Sequence, residues 1–489
     1  MFEQTLPAPL TQSSLGAEPG DSRRGAARGL LGDLRLIVPV VLVLVSLLFV
    51  IATRMRPGYD AYGWLVWGHQ TLHGHLDTNG APSWKPLTFL FTLPFALIGR
   101  GAVWLWMITA VAGAFSGVWF AGRIAYRLTA PSPGRRYAPF VAATFAGVGV
   151  LGLDGYWQQT LIANSDLLIV SLCLATIDSY LSGRYRLTFV LLVLAGLGRP
   201  EAWPFVGLYA LWAWRAEPSI RLLVLAGIAA IPILWFSIPA LTSRSWLSAG
   251  DLALNSANVI HGNKILGVIG RFRALTELPV QVAALCGIAV AVLRRDRTTL
   301  LVGATALLWV AIEVAFALHG WSAVARYMLE PGAVVVVLAA AAAGRLLATA
   351  GSPRIIVRLA GPIAVVILVA ALAPAARHHE RIVRLQLVDA DTNGRFVDRL
   401  PAVIARVGGA RRVKSCGQPV TFVGEQSTVA FYVDLNVGNV GFRPGKAIRS
   451  GKPIVIFRPH GLGWTVRPVN IRAADRARCS ALDVDTDSG

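Results

Sequence analysis

Long apolar runs, separated by short polar connections, recur along most of the chain. The first run, LRLIVPVVLVLVSLLFVIATR, predicts a helix over residues 34–53, long enough to cross the hydrocarbon core of a membrane. Further spans are predicted over residues 102–121, 138–153, 164–181, 186–198, 201–214, 221–241, 277–293, 298–318, 328–347 and 355–374. The pattern therefore predicts an all-α polytopic membrane protein with about 11 transmembrane helices.

The connections alternate between arginine-rich and charge-poor sequences. GRIAYRLTAPSPGRRY, SGRYR, WRAEPSIR and RRDR are basic, as cytoplasmic loops are, and four arginines precede the first span. The N-terminus is therefore expected in the cytoplasm and the C-terminus outside it. A shorter apolar run, LTFLFTLPFALIG at residues 87–99, would reverse this alternation if it crossed, so we expect it to lie in the outer interface.

Polarity divides the chain into three parts. Residues 1–33 have no apolar period and predict a disordered cytoplasmic tail. Residues 34–374 form the predicted transmembrane domain, with residues 54–101 as its first external loop. Residues 375–489 are charged and contain the β-like runs KPIVIFRP and GWTVRPV, which predict a small C-terminal extracytoplasmic α/β domain. Outside the cytoplasm a disulfide between Cys416 and Cys479 is expected.

Composition supports a cell-membrane protein and narrows its partners. The chain is 55% hydrophobic and only 15% charged, whereas soluble domains are roughly a quarter charged. A net charge of +20 would suit nucleic acid, but the arginines collect in cytoplasmic loops and no nucleic-acid motif is present. We therefore expect contact with membrane lipids and no nucleic acid. Heavy use of Gly, Ala and Arg indicates a high-GC bacterium such as an actinomycete.

The first external loop concentrates polar chemistry beside the first span. It contains RPGYDAYGWLVWGHQTLHGHLDTNGAPSWKPL at residues 56–87. AYGWLVWGHQTL predicts an interfacial amphipathic helix, with Trp64 and Trp67 at the membrane surface and Asp60 at its entrance. Lys85 stands in an external loop, where positive charge is disfavoured, so it is expected to have a negative partner.

These motifs resemble the GT-C glycosyltransferases, and within them the protein O-mannosyltransferase-like branch. Members of that branch have an aspartate in the first external loop, matched here by Asp60. They also have a Lys-Pro-Pro-Leu-like motif, matched by WKPL from Lys85, where the second proline is missing. Three further motifs follow in the same order: an aspartate opening an early span, a Lys-Gly pair ending a helix, and Arg-Tyr entering a late span. Their counterparts are Asp166, Arg199 in place of the lysine, Arg326 and Tyr327.

The resemblance implies transfer of a sugar from a polyprenyl-phosphate donor to a cell-envelope glycan, lipid or protein acceptor. Asp60 would be the general base that deprotonates the acceptor hydroxyl. Basic side chains would hold the phosphate of the leaving group, since lysine and arginine make strong charge-assisted hydrogen bonds to phosphate. The implied substrate- and lipid-phosphate-binding residues are Lys85, Arg199, Arg326, Tyr327, Asp166 and Glu201.

Structural alternatives exist for several of these residues. Asp60 could cap the interfacial helix, and Asp166 and Glu201 could pair with arginines. His69 and His73 are four residues apart and could bind a divalent metal, which some GT-C enzymes use; no other cofactor is expected.

Two other functions remain open. A lipid or small-molecule transporter or flippase would place polar groups at mid-membrane, whereas these cluster at one interface. One exception is Glu313, which lies within a predicted span, where an ionisable residue indicates function or a buried hydrogen bond. A non-catalytic envelope scaffold would tolerate replacement of Asp60.

Overall fold

The computed structural model describes residues 20–80, 82–130, 136–461 and 463–485, and within these ranges it describes side chains from residue 37 to residue 483. Helices dominate this part of the chain. In order they are α1 (Gly20–Thr53), α2 (Tyr59–Leu72), α3 (Pro86–Ala96), α4 (Ala102–Thr129), α5 (Ala138–Leu151), α6 (Tyr156–Leu161), α7 (Asp166–Leu181), α8 (Tyr185–Gly198), α9 (Trp203–Ala216), α10 (Arg221–Pro232), α11 (Ile238–Thr242), α12 (Ser248–Leu254), α13 (Lys264–Arg273), α14 (Leu278–Leu293), α15 (Arg297–His319), α16 (Leu329–Ala348), α17 (Ile355–Arg406), α18 (Gly409–Cys416), α19 (Gln426–Val433), α20 (Pro444–Arg449) and α21 (Arg476–Ser480).

The predicted spans all coincide with helices, which confirms a polytopic helical membrane protein. Within the described residues, five helical stretches are long and apolar enough to cross a membrane, or six if the bent pair α13 and α14 forms one span. The remaining expected spans fall on shorter helices such as α5 and α8. The count of eleven crossings therefore stays a prediction.

Helix α16 occupies the centre of the transmembrane domain. Its sequence LEPGAVVVVLAAAAAGRLLA is buried along most of its length, and it packs against α4, α5, α14 and α15. Small side chains allow this close approach of several helices. In contrast, the first half of α17 exposes large apolar residues, among them Ile356, Ile363 and Val366, as expected for a surface that faces lipid.

Helices α2 and α3 of the first external loop pack tightly against each other and against the protein. A Cβ atom on Gly68 would lie 2.4 Å from the carbonyl oxygen of Thr92, so glycine is required at this crossing. Trp64 and Trp67 are buried in the protein, because their rings pack against Trp106 and Trp84 at centroid distances of 5.6 and 5.5 Å. Their expected depth at the membrane surface stays a prediction.

The C-terminal domain is a small four-stranded sheet flanked by short helices. Its strands are β1 (Gln418–Val420), β2 (Ile454–His460), β3 (Gly463–Val469) and β4 (Val484–Asp485), adjacent in that order. Strands β1 and β2 are parallel and the other pairs antiparallel. The two predicted β runs correspond to β2 and β3. A disulfide between Cys416 and Cys479 joins α18 to α21, with 5.8 Å between their Cα atoms.

Both expected domain boundaries fall within helices. Helix α17 runs without interruption across residue 374 into the C-terminal domain. Residues 20–33, expected to be disordered, form the start of α1, whose Ala, Leu and Arg residues favour a helix. Residues 1–19 lie outside the described residues.

Helix α19 of the C-terminal domain packs on α2 of the first external loop, with the rings of Phe431 and Tyr62 5.6 Å apart. The C-terminal domain therefore lies on the same side as the first loop.

Candidate functional site

Two strained backbone positions precede the residues at the centre of the site. Ala163 and Ala323 are buried and adopt positive φ angles of 50° and 41°, a conformation that costs a non-glycine residue on the order of 1–3 kcal/mol. Each stands three residues before a charged residue of the site, Asp166 or Arg326. The indole Nε1 of Trp106 donates to the carbonyl of Ala163 at 2.9 Å and helps to hold the first of these bends.

Asp166 is the buried centre of an ion cluster. It opens α7, where the helix dipole favours a negative charge, and its side chain is 1% exposed. Arg199 Nη2 lies 2.6 Å from Asp166 Oδ1, and Lys85 Nζ lies 3.5 Å from the same oxygen. The second oxygen, Oδ2, is 3.5 Å from Nε of Arg326. One carboxylate thus organises the three cations that the sequence analysis singled out.

Arg199 is enclosed by carboxylates. It follows the last residue of α8 in an extended conformation, and its side chain is 3% exposed. Besides Asp166, its guanidinium faces Glu201 with 3.4 Å between Nη1 and Oε1, and Glu330 with 3.5 Å between Nε and Oε1. The ring of Tyr327 lies 4.1 Å from its Cζ atom. The guanidinium is therefore closed to solvent on all sides.

The more open groups of the cluster are Asp60 and Arg326. Asp60 lies in the first turn of α2, while Gly58 occupies the N-cap position, so Asp60 does not cap the helix. Its Oδ2 atom is 3.5 Å from Nη2 of Arg326, and the two side chains are 26% and 33% exposed. These groups form the mouth of the site on the side of the first loop.

Lys85 lies deeper than Asp60 and Arg326. It immediately precedes α3, and its Nζ donates to Ser165 Oγ at 3.3 Å and lies 5.3 Å from the ring centre of Trp64. Burial lowers the pKa of Lys85; the charges of Arg199 and Arg326 act in the same direction, while Asp166 opposes them.

Glu330 is the member of the cluster that the sequence analysis missed. It lies in the first turn of α16 and is 3% exposed. Its only signal in the sequence is an ionisable side chain at the start of an apolar run. Glu313, which that analysis did single out, is buried against Glu201, so the polar groups extend from the interface into the membrane domain.

His69 of α2 and His73, the residue that follows this helix, lie apart from the cluster. His69 stands nine residues after Asp60, and its ring stacks on His73 at 6.3 Å. Among the described residues, no group of three or more His, Cys, Asp or Glu side chains is arranged to hold a metal ion. The expectation of a divalent metal on His69 and His73 gains no support from this arrangement.

An apolar cavity of about 460 Å³ adjoins the ion cluster. It lies among helices α7, α8, α9, α15 and α16, and Glu330, the partner of Arg199, forms part of its wall. Residues that line it include Ile177, Leu192, Leu208, Val302, Ala306 and Glu330. The cavity therefore brings an apolar surface into contact with the ion cluster.

Comparison with solved structures shows a shared architecture. The crystal structure of ArnT from Cupriavidus metallidurans in the apo state superposes with a TM-score of 0.52 at 14% identity, covering 94% of this chain and 100% of ArnT. The chain has an ArnT-like, GT-C fold. The crystal structure of ArnT bound to undecaprenyl phosphate superposes with a TM-score of 0.53 at 13% identity, covering 90% of this chain and 98% of ArnT.

The similarity to ArnT is one of structure. No protein-family model and no curated protein matches the sequence. The ArnT fold confirms the GT-C-like fold class expected from the order of the motifs. The narrower assignment to the protein O-mannosyltransferase-like branch stays a prediction.

Proposed function

We propose that the protein is a glycosyltransferase that moves a sugar from a polyprenyl-phosphate donor to a hydroxyl group of a cell-envelope acceptor at the external membrane face. One observation carries this proposal: a partly exposed carboxylate, Asp60, faces a partly exposed cation, Arg326, beside the more deeply buried Lys85. The same ion cluster extends through Asp166, Arg199 and Glu330 to an apolar cavity. That combination suits a substrate with a charged phosphate, a reacting hydroxyl and a long hydrocarbon chain.

The reaction needs one proton transfer and one displacement. Asp60 takes the proton of the acceptor hydroxyl as its oxygen forms a bond to the anomeric carbon of the donor sugar. The bond between that carbon and the phosphate oxygen breaks, and its electron pair leaves with the polyprenyl phosphate. Lys85 and Arg326 hold the developing phosphate charge through charge-assisted hydrogen bonds.

Arg199 receives a different role from the one that the sequence suggested. Its guanidinium already faces Asp166, Glu201 and Glu330 and is closed to solvent, so it lacks room for a phosphate. It instead balances the buried carboxylates. Asp166 in turn orients Lys85 and Arg326 towards the mouth.

The contact between Arg326 and Asp60 couples donor binding to the base. In the structure the guanidinium of Arg326 contacts both Asp60 and Asp166. A donor phosphate competes with Asp60 for Arg326. Because the ion pair is partly exposed, breaking it costs little free energy. Asp60 is then released towards the acceptor once the donor is bound.

The apolar cavity takes the polyprenyl chain of the donor. It adjoins the cations through Glu330 and Arg199, so a lipid whose phosphate lies at Lys85 and Arg326 can place its chain among α7, α8, α9 and α15. The structural neighbour ArnT has been crystallised with undecaprenyl phosphate, which supports a lipid of this class.

Sugar transfer in membranes tests the proposal. Radiolabelled decaprenyl-phosphate sugars are supplied, with matched protein levels, to wild type, Asp60→Asn and Asp154→Asn; Asp154 is an exposed aspartate outside the cluster. We expect Asp60→Asn to lose transfer by about 10²–10⁴-fold, the usual contribution of a general base, and Asp154→Asn to retain it. Equal transfer by wild type and Asp60→Asn would remove Asp60 from the mechanism. Absence of transfer by wild type with every donor and a full envelope extract as acceptor would overturn the proposed function.

A further inference from the structure

A second cavity, of about 230 Å³, lies between the distal part of α2 and the C-terminal domain. Its lining is about half polar, whereas that of the cavity within the membrane domain is almost wholly apolar. One wall comes from the first external loop and the other from α19 and the turn that follows it. The residues that define it are His69, Gln70, Asp77, Phe431, Asp434 and Asn436.

Hydrogen bonds between the two walls hold this cavity in shape. Asn436 Nδ2 donates to the carbonyl of Asp77 at 2.8 Å, across 359 residues of sequence. The amide of Asp77 donates to Gln70 Oε1 at 3.3 Å, and Asn436 Oδ1 accepts from the amide of Gly438 at 2.7 Å. The cavity is therefore a built junction between the loop and the domain.

The imidazole of His69 lines the cavity beside these polar groups. Its Nε2 atom is shielded from solvent and, in the part of the chain that the structure describes, makes no hydrogen bond. The ring of Phe431 lies 5.5 Å from that of His69 and adds an apolar surface to the same wall.

The chemistry of the lining selects the ligand class. Carboxylates accept hydrogen bonds, amide side chains donate and accept, and a neutral imidazole does both, which matches the mixed donors and acceptors of a polyhydroxylated molecule. A metal ion is disfavoured, because no described group of three or more ligating side chains converges here. Two carboxylates, Asp77 and Asp434, disfavour a phosphate or another anion.

We propose that this cavity binds a sugar unit of the acceptor that is remote from the reacting hydroxyl. The inference rests on the proposed function. Nine residues of α2 separate Asp60 from His69, so the cavity lies roughly 13 Å along the helix from the base. A single sugar cannot occupy both places, and the acceptor is therefore an oligosaccharide or a longer glycan chain that runs along α2 beneath the C-terminal domain.

Glycan binding by the purified full chain in lipid nanodiscs tests this inference. The probes are neutral arabino-, manno-, galacto- and gluco-oligosaccharides and the matching monosaccharides. We expect wild type to bind at least one oligosaccharide more tightly than its monosaccharide. His69→Ala and Asp434→Asn should weaken that binding about tenfold or more, as expected for the loss of one hydrogen bond or more. Asp434 has a positive φ of 58°, which asparagine also tolerates, so the second variant preserves the backbone.

His378→Ala is the matched control, since His378 is an exposed histidine of α17 that does not line the cavity. Unchanged binding in His69→Ala and Asp434→Asn, or absence of binding by wild type to every oligosaccharide, would overturn the inference.

Binding of decaprenyl phosphate by the same nanodiscs separates the two proposals. Lipid binding without glycan binding would reject glycan binding by the cavity and would leave the proposed function in place. Glycan binding that depends on His69, without lipid binding or transfer, supports a glycan site and rejects the proposed function.

Discussion

The guanidinium of Arg326 faces the carboxylate of Asp60, with 3.5 Å between Nη2 and Oδ2. The two residues are 266 positions apart in the sequence, and both are open enough to meet a substrate. This pair joins the proposed base to a proposed phosphate ligand. In the proposed mechanism, donor binding and activation of the acceptor therefore depend on the same side chain.

Replacement of Arg326 should weaken donor binding. Arg326→Gln removes a charged partner of the phosphate, and we expect the Kd for decaprenyl phosphate in nanodiscs to rise at least about tenfold, since hydrogen bonds to charged groups contribute about 1.5–3 kcal/mol. Arg244→Gln, which removes an exposed arginine away from the cluster, is the control and should bind as wild type does. Equal affinity of both variants would show that Arg326 does not contact the phosphate.

Lys85 should make donor binding sensitive to alkaline pH. Burial lowers its pKa, and a lysine carries its charge only below its pKa. As pH rises, the ammonium should lose its proton earlier than an exposed lysine, whose pKa is about 10.4, and affinity for decaprenyl phosphate should fall. Lys85→Arg keeps its charge throughout this range. A lower affinity of this variant at neutral pH would reflect altered geometry, but the alkaline fall should disappear. Persistence of the same fall would contradict a role for Lys85 in binding the phosphate.

Gly68 should be required for the relative position of Asp60 and Lys85. A Cβ atom at this position would meet the backbone oxygen of Thr92 at 2.4 Å, and such overpacking costs typically about 1–3 kcal/mol. Gly68→Ala should lower the thermal stability and reduce transfer, because it pushes α2 away from α3. Gly207→Ala is the control: a Cβ there meets no atom within 4 Å, so stability should be unchanged or slightly higher.

Filling the apolar cavity should displace the donor chain. Ala306 lines this cavity, whereas Leu307, the next residue of α15, is 74% exposed and does not. Ala306→Trp should raise the Kd for decaprenyl phosphate and have a smaller effect on a short-chain analogue that does not reach the cavity. Leu307→Trp should leave both affinities unchanged. A similar effect of the two substitutions would place the lipid chain elsewhere.

Loss of the disulfide should destabilise the C-terminal domain. The bond between Cys416 and Cys479 links residues 63 positions apart, and its removal is expected to cost about 2–5 kcal/mol. Cys416→Ser with Cys479→Ser should therefore lower the unfolding temperature of this domain, and a reducing agent should do the same to wild type. Cys286→Ser, at an exposed free cysteine, should have no effect; equal stability of all variants would remove the disulfide as a determinant of this domain.

The sequence by itself determined the membrane architecture and the identity of most residues in the ion cluster. Apolar runs and the alternation of basic loops are local properties of the sequence. Each segment that crosses a bilayer must by itself be apolar and form its own backbone hydrogen bonds, and each loop carries its own charges. Asp60 and Lys85 stood out as polar residues of the first external loop, and Asp166, Arg199 and Arg326 were singled out because their motifs resemble those of the GT-C glycosyltransferases. The two β runs of the C-terminal domain were predicted from a local pattern as well.

Only the tertiary structure decided what these residues face. It encloses Arg199 among carboxylates, one of them the unpredicted Glu330, and it buries Trp64 against Trp106. It also brings Asn436 to Asp77 and thereby creates the polar cavity. These contacts join segments tens to hundreds of residues apart, so they depend on how the helices pack together, and the pattern along one segment does not specify that packing.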